Sequence, residues 1–170
     1  MYTLPIEAFN SIETPFYYYD MDLLRETLDV YNSHLNKHNY IAHYAMKANA
    51  EKRIMDEIRK AGFGVDCVSG NEVKLAIKYG FSPDKIVYAG VGKSDKEIKA
   101  ALKAGIYAFN CESIPEIAVI GELAKSMNKV AHISIRVNPD IDAHTHKYIS
   151  TGKKEDKFGI SPWMFEDVLN

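Results

Sequence analysis

Three times between residues 60 and 106 a lysine, one further residue, a glycine and an apolar residue stand together: Lys60-Ala61-Gly62-Phe63, Lys78-Tyr79-Gly80-Phe81 and Lys103-Ala104-Gly105-Ile106. The physical role is the same each time. A lysine in the last helical turn complements the helix dipole, and the glycine takes the left-handed conformation that closes the helix. A strand-like run follows each one: Gly64–Val68, Ile86–Ala89 and Tyr107–Cys111. Helix starts are marked as well, because Ser94 with Glu97 and Ser113 with Glu116 have the spacing of a capping box.

Strands alternating with helices of this length specify right-handed βαβ units and a parallel sheet, so the fold class is α/β. Ile41–Lys47 adds a strand before the repeat and His132–Val137 one after it. At about 20–25 residues per unit the pattern matches a (β/α)8 barrel, the TIM-barrel type, which needs about 250 residues. The 170 residues hold about the first five strand–helix units, so the barrel is expected to be truncated. An open five-stranded sheet of the flavodoxin kind is the competing architecture. Ahead of the repeat, residues 1–20 read as an irregular extension with a brief aromatic strand at Phe16–Tyr19, and 21–170 as the partial barrel. Asp20 is a good N-cap, and Leu24, Leu28, Tyr31 and Leu35 recur at helical spacing, so the first helix is expected to run to about Asn36.

The function classes this leaves are limited by charge and hydropathy. A formal net charge of -2 with no basic cluster gives no nucleic-acid footprint. No apolar run approaches the roughly 20 residues of a membrane helix, and the N-terminus lacks the basic start and apolar core of a signal peptide. A cytoplasmic protein is the expectation. Cys67 and Cys111 lie in separate strands and read as reduced, buried thiols.

Candidate chemistry comes from the strand ends. Lys47 stands among small and apolar neighbours in Tyr44-Ala45-Met46-Lys47-Ala48-Asn49. A lysine so placed can act as an imine-forming nucleophile. It can equally be a barrel-end lysine in a salt bridge, and the residues alone leave both readings open. Alternation along the strands sets Ile133, Ile135 and Val137 against His132, Ser134, Arg136 and Asn138. It likewise sets Tyr107, Phe109 and Cys111 against Ala108, Asn110 and Glu112. With the apolar sets under the helices, Lys47, Asp66, Glu112 and Arg136 gather at the C-terminal ends of successive strands, where parallel α/β folds carry their chemistry. An interior Glu112–Arg136 ion pair is the plainer alternative for those two. Gly90-Val91-Gly92-Lys93-Ser94 has the ending of a phosphate-binding P-loop, but the position for its first glycine is Val87, which argues against nucleotide hydrolysis. His144 and His146 have no spaced partner to complete a metal site, so no metal is expected. Residues 141–157 read as a long polar loop, and Ser161-Pro162 as a helix start.

Several segments together carry a family likeness. Thr14-Pro15-Phe16-Tyr17-Tyr18-Tyr19-Asp20, Tyr44-Ala45-Met46-Lys47-Ala48-Asn49 and Gly64-Val65-Asp66-Cys67-Val68-Ser69-Gly70-Asn71-Glu72 resemble the fold-type III pyridoxal-phosphate enzymes. These are the alanine-racemase-like barrels that include the ornithine, arginine and diaminopimelate decarboxylases. The run from Asn138-Pro139-Asp140 through His144-Thr145-His146 to Lys157-Phe158-Gly159-Ile160 is most similar to the members acting on diaminopimelate. The resemblance implies pyridoxal 5'-phosphate as cofactor and decarboxylation of meso-2,6-diaminopimelate to L-lysine, with another basic amino acid as the alternative substrate. A non-catalytic pyridoxal-phosphate-binding barrel is the alternative from a different class. The resemblance implies that Lys47 holds the cofactor covalently, that Asp66 is an acidic residue near that linkage, that Glu72 helps orient the lysine amine and that Arg136 lies on the cofactor's polar edge. It implies a homodimer. Family members continue into a further barrel half and a C-terminal β-domain, so the resemblance implies an N-terminal portion that is inactive alone.

Overall fold

The computed structural model describes residues 4–38, 40–139 and 159–169. Five strands, β1 (His43–Ala45), β2 (Gly64–Cys67), β3 (Ile86–Tyr88), β4 (Ala108–Cys111) and β5 (Ile133–Ile135), form one sheet in the order β1-β2-β3-β4-β5. Every pairing is parallel. This order decides between the two architectures. A flavodoxin-like sheet reverses direction after its second strand and reads 2-1-3-4-5, whereas a barrel adds each strand beside the last. The sheet is an arc of a barrel.

Helices α1 (Ile6–Phe9), α2 (Met21–His38), α3 (Lys52–Lys60), α4 (Gly70–Lys78), α5 (Asp95–Ala104), α6 (Ile114–Ser126) and α7 (Phe165–Leu169) complete the described elements. The helix ends follow the residues that mark them. Gly62, Gly80 and Gly105 have φ of 88°, 84° and 73°, the left-handed region that a side chain would strain. Helix α6 ends without a glycine: Asn128 takes φ 51° instead, a position asparagine tolerates. At the starts, Asp20 Oδ1 accepts from the amides of Asp22 and Leu23, and Glu51 accepts from those of Arg53 and Ile54. Ser94 and Glu97 form the full capping box.

Packing follows the alternation. Val65 and Cys67, Ile86 and Tyr88, and Phe109 and Cys111 are buried on the helix side of the sheet, with Ile54, Met55, Ile58, Val73, Ala76, Ile98, Ala101, Leu102 and Ile120 against them. The opposite face is the barrel interior. There Ala45, Asp66, Val87 and Ala108 lie abreast in one register layer.

Two expectations need correction. Phe16–Tyr19 is not a strand. No described strand lies beside it to supply a ladder, and its aromatic rings pack locally, Phe16 and Tyr18 against Phe9 at 5.3 and 5.0 Å between centroids. The extension is also not wholly irregular, because Ile6–Phe9 makes one helical turn. The first helix runs two residues past Asn36, to His38. An unforeseen contact lies beyond β5: Ile160 bridges Val137 in parallel sense, with Ile160 N donating to Arg136 O at 2.7 Å and Asn138 N to Ile160 O at 3.0 Å. The 141–157 loop with His144 and His146 lies outside the described residues. Among the described residues no helix is long and apolar enough to cross a membrane.

Candidate functional site

Strand β1 stops at Ala45, and Met46–Ala48 makes a 3-10 turn that carries Lys47 out of the ladder. Met46 is fully buried beneath the turn while Lys47 is exposed. A buried anchor beside an exposed amine fixes where the lysine emerges. The amine emerges into a cleft of about 520 Å3 lined by Lys47, Asp66, Val68, Ala89, Gly90, Asn110, Glu112, Ser134, Ile135 and Arg136. Its size lies within the range of about 300–1,000 Å3 usual for small-ligand sites. Lys47, Asp66 and Arg136 are therefore brought together, as are both members of the Glu112–Arg136 pair. Glu72 is not among the lining residues.

Asp66 occupies the small-residue layer with Ala45, Val87 and Ala108. Its Oδ1 is buried and makes no hydrogen bond. Burial raises the Asp66 carboxyl above its ordinary value; Lys47, His43 and Arg136 pull it back, and Glu72 pushes with burial. An acceptor of this kind, half-buried and beside two cations, is poised for a polar partner that the chain itself does not provide. Below it, His43 shares the interior with Gly64, whose missing side chain makes the room, since a Cβ there would collide with the imidazole ring and the Lys85 carbonyl. Burial lowers the His43 imidazole from its ordinary value, against an upward pull from Asp66.

The opposite wall is an ion pair. Arg136 Nη1 donates to both Glu112 oxygens, at 3.1 and 3.2 Å. The Glu112 side chain is 5% exposed and that of Arg136 43%, so the arginine bridges a buried carboxylate to the open cleft. Arg136 N also donates to Cys111 O at 2.9 Å, which sets the residue's height on the sheet.

Glu72 has a partner that sequence reasoning missed. Its Oε2 accepts from Val68 N at 2.7 Å, while Ser69 Oγ accepts from Glu72 N. The turn after β4 repeats this construction, with Glu116 Oε2 accepting from Glu112 N at 2.8 Å and Ser113 Oγ accepting from Glu116 N. The signal was in the chain as Cys-x-Ser-x-x-Glu, at Cys67–Glu72 and Cys111–Glu116. The spacing at Ser113 thus gives half of a capping box, because the glutamate reaches one residue further back than Ser113. Lys93 was also passed over, as part of a segment that falls short of the P-loop spacing; its amine is buried among protein acceptors. Both thiols are buried and pushed up to about 12, chiefly by burial, so neither is a nucleophile at neutral pH.

A larger hollow of about 660 Å3 lies outside the sheet between α2, β1 and α3. Its lining is mostly apolar and aromatic and includes no lysine or arginine. The strand-end residues Lys47, Asp66, Glu112 and Arg136 line the smaller cleft instead.

Comparison with known proteins gives a consistent outcome. The family described as pyridoxal-dependent decarboxylase, pyridoxal binding domain, matches residues 21–169. A diaminopimelate decarboxylase of Bacteroides thetaiotaomicron is 52% identical over 98% of this chain and 43% of its own length. The crystal structure of diaminopimelate decarboxylase from Helicobacter pylori complexed with L-lysine superposes with a TM-score of 0.89 at 42% identity, covering 96% of this chain and 41% of that one. An ornithine decarboxylase of Entamoeba histolytica, at 24% identity and a TM-score of 0.67 over 86% of this chain and 36% of its own, shares the fold. The chain spans about two-fifths of the length of the relatives it matches.

Proposed function

The chain belongs to the pyridoxal-dependent decarboxylases, as their pyridoxal-binding domain, and on that premise we propose that it serves the decarboxylation of meso-2,6-diaminopimelate to L-lysine. The cofactor is pyridoxal 5'-phosphate. The residues of the cleft fit such a group: an exposed lysine for an aldehyde, a buried acceptor without a partner on Asp66, the small residues Ala89, Gly90 and Ser134 and an arginine at the rim. When bound, the cofactor supplies the electron sink that makes loss of carbon dioxide from an amino acid possible.

The chain's own part is binding and orientation. Lys47 is the residue proposed to hold the cofactor covalently, carried by a turn whose buried Met46 keeps it in place. Asp66 is proposed to accept a hydrogen bond or proton from polar atoms brought beside Lys47. Arg136, held by Glu112, is proposed to present a cation to the cofactor's polar edge. Glu72 is proposed to act on the lysine through position, by fixing Val68 on the cleft wall. The substrate is read from the relatives, several of which, in sequence and in structure, carry the name diaminopimelate decarboxylase. The fuller picture proposed is a cytoplasmic homodimer in lysine biosynthesis, in which residues 1–20 lead to another domain. With about two-fifths of the relatives' length present, residues 1–170 alone are proposed to be inactive.

The observation that carries this reading is the convergence of Lys47, Asp66 and Arg136 on one cleft at the strand ends. The test is to add pyridoxal 5'-phosphate to the native protein, reduce with borohydride and map the adduct by mass spectrometry. A visible absorbance band that borohydride removes, with the adduct on the Lys47 peptide and absent from Lys47→Ala, is the expected result. An adduct scattered over surface lysines refutes it. Carbon dioxide released from ornithine or arginine, and not from diaminopimelate, would transfer the reading to another basic amino acid.

A further inference from the structure

Lys93 has no role in the cleft as described so far, yet its surroundings are the most elaborate of any lysine among the described residues. Its side chain is 1% exposed. The ammonium donates to Gly90 O at 2.7 Å, to Asn110 O at 2.9 Å and to Glu116 Oε1, and it lies 5.4 Å from the centre of the Tyr88 ring. A lysine ammonium has three protons, and here each has an acceptor.

Stability of the fold is a poor reason to bury this group, since well-packed apolar residues often replace a buried ion pair without loss. The turn does not require it either. The matching turn after β2 places Glu72 on the Val68 amide without any ion pair to that glutamate among the described residues. What Lys93 adds is a connection between groups that all reach the cleft. Gly90 and Asn110 line it directly, on the loop after β3 and on β4. Through Glu116, whose other oxygen holds the Glu112 amide, the ammonium also reaches the carboxylate that clamps Arg136. Gly90 itself sits at φ +102°, where a Cβ would stand 3.2 Å from the Val68 carbonyl oxygen. A backbone so confined holds its position only where its neighbours fix it.

We propose that Lys93 is a positioning residue of the cofactor site, binding the ends of β3 and β4 into one wall and setting the Glu112–Arg136 pair within it. The inference rests on the reading of the cleft as a pyridoxal-phosphate site. Outer partners of metal ligands typically cost about 10–100-fold in affinity or activity when removed, and the same scale is expected of a group that supports this wall.

The test is a double-mutant cycle on the native protein, read by the dissociation constant of pyridoxal 5'-phosphate, with thermal unfolding of the cofactor-free form measured in parallel. Lys93→Met is expected to weaken binding about tenfold or more. In an Arg136→Met background the same substitution is expected to cost less than about threefold, because the two act through one chain of contacts. Lys93→Arg, which keeps the charge, recovers part of the loss. Where Lys93→Met fails to fold, Glu116→Gln removes the paired charge and keeps an acceptor, and a loss of several-fold is expected from it. Unchanged affinity in the folded variant, or effects that simply multiply, overturns the proposal in favour of a structural lysine. A wild-type protein that gives no adduct at Lys47 overturns the reading of the cleft and this inference with it. A wild type that binds while Lys93→Met and Glu116→Gln bind equally well overturns the inference alone.

Discussion

Replacing Arg136 with methionine isolates the energetics of the cleft wall. Glu112 is 6% exposed, and both of its oxygens accept from Arg136 Nη1, at 3.1 and 3.2 Å. Methionine keeps much of the apolar stem and removes the guanidinium, so the carboxylate stays desolvated without its cation. Removing one partner of a fully buried pair costs about 3–5 kcal/mol. Here the arginine side chain is 43% exposed, so solvent screens part of the attraction and water can reach the vacated position. The appropriate scale is that of a hydrogen bond to a charged group, about 1.5–3 kcal/mol, and the expected loss is about 2 kcal/mol. For a domain of this size that corresponds to a fall in Tm of about 4–8 °C. Thermal unfolding followed by circular dichroism, on the wild type, Arg136→Met, Glu112→Gln and the double variant, measures it. Glu112→Gln should recover part of the loss in the Arg136→Met background, because a neutral amide costs less to bury than a carboxylate. A Tm for Arg136→Met within about 1 °C of the wild type, or a Glu112→Gln effect equal in both backgrounds, would refute the reasoning.

Asp66→Asn gives a pH-dependent result whose sign follows from burial. The folded carboxyl lies above its unfolded value, so the stability linked to its protonated form is full below the unfolded value of about 4 and is lost as pH rises through the folded one. Cofactor-free Asp66→Asn is therefore expected to melt above the wild type at pH 7 and to lose that advantage by about pH 4, in paired unfolding scans. Equal advantage at both pH values would show that the carboxylate is not the cause. Gly90→Ala should lose about 1–3 kcal/mol, since φ is +102° and a Cβ would stand 3.2 Å from the Val68 carbonyl oxygen; a variant that unfolds with the wild type in urea contradicts this. Cys67 and Cys111, both buried and pushed up to about 12, should resist iodoacetamide in the folded protein at pH 8 and label only on unfolding. Rapid labelling under native conditions counts against the described core.

Much of the fold was legible because the punctuation is local. The lysine–glycine helix ends, the serine caps and the alternation of Phe109 and Cys111 against Asn110 and Glu112 are set by residues within a turn of one another, and the structure places them as the spacing implies. The elements that were misjudged depend on distant partners. Phe16–Tyr19 has strand composition, but a strand needs a neighbour, and sequence composition does not supply one. Ile160 was not recognised as a ladder residue because a single bridge to Val137 leaves no periodicity to read. The α6 terminus escaped the glycine pattern because Asn128 does the same work. For the site, alternation was enough to bring Lys47, Asp66, Glu112 and Arg136 to one cleft. It named a direct Glu112–Arg136 pair as one of two readings, and the structure shows that pair; it could not say that Lys93 would be drawn into the wall behind them, because that depends on how β3, β4 and β5 are set side by side.

The glutamates explain why the site is built at these positions. A barrel whose strands are only three or four residues long has few ladder bonds with which to fix its strand ends, and the cleft is made of strand ends. Glu72 and Glu116 each take an amide just beyond a strand, and Glu97 takes the Gly70 amide from the next helix along. Each carboxylate thus satisfies a donor at the start of a helix, where negative charge is also favoured by the helix dipole. The same bonds fix two connections, the β2–α4 turn at Val68 and Gly70 and the β4–α6 turn at Glu112. A site that must hold reacting groups within about half an ångström gains more from such backbone anchors than from additional polar side chains inside the cleft. The open acceptor on Asp66 and the exposed amine of Lys47 are then the groups left facing inward from β1 and β2, in a cleft whose lining includes the small residues Ala89, Gly90 and Ser134.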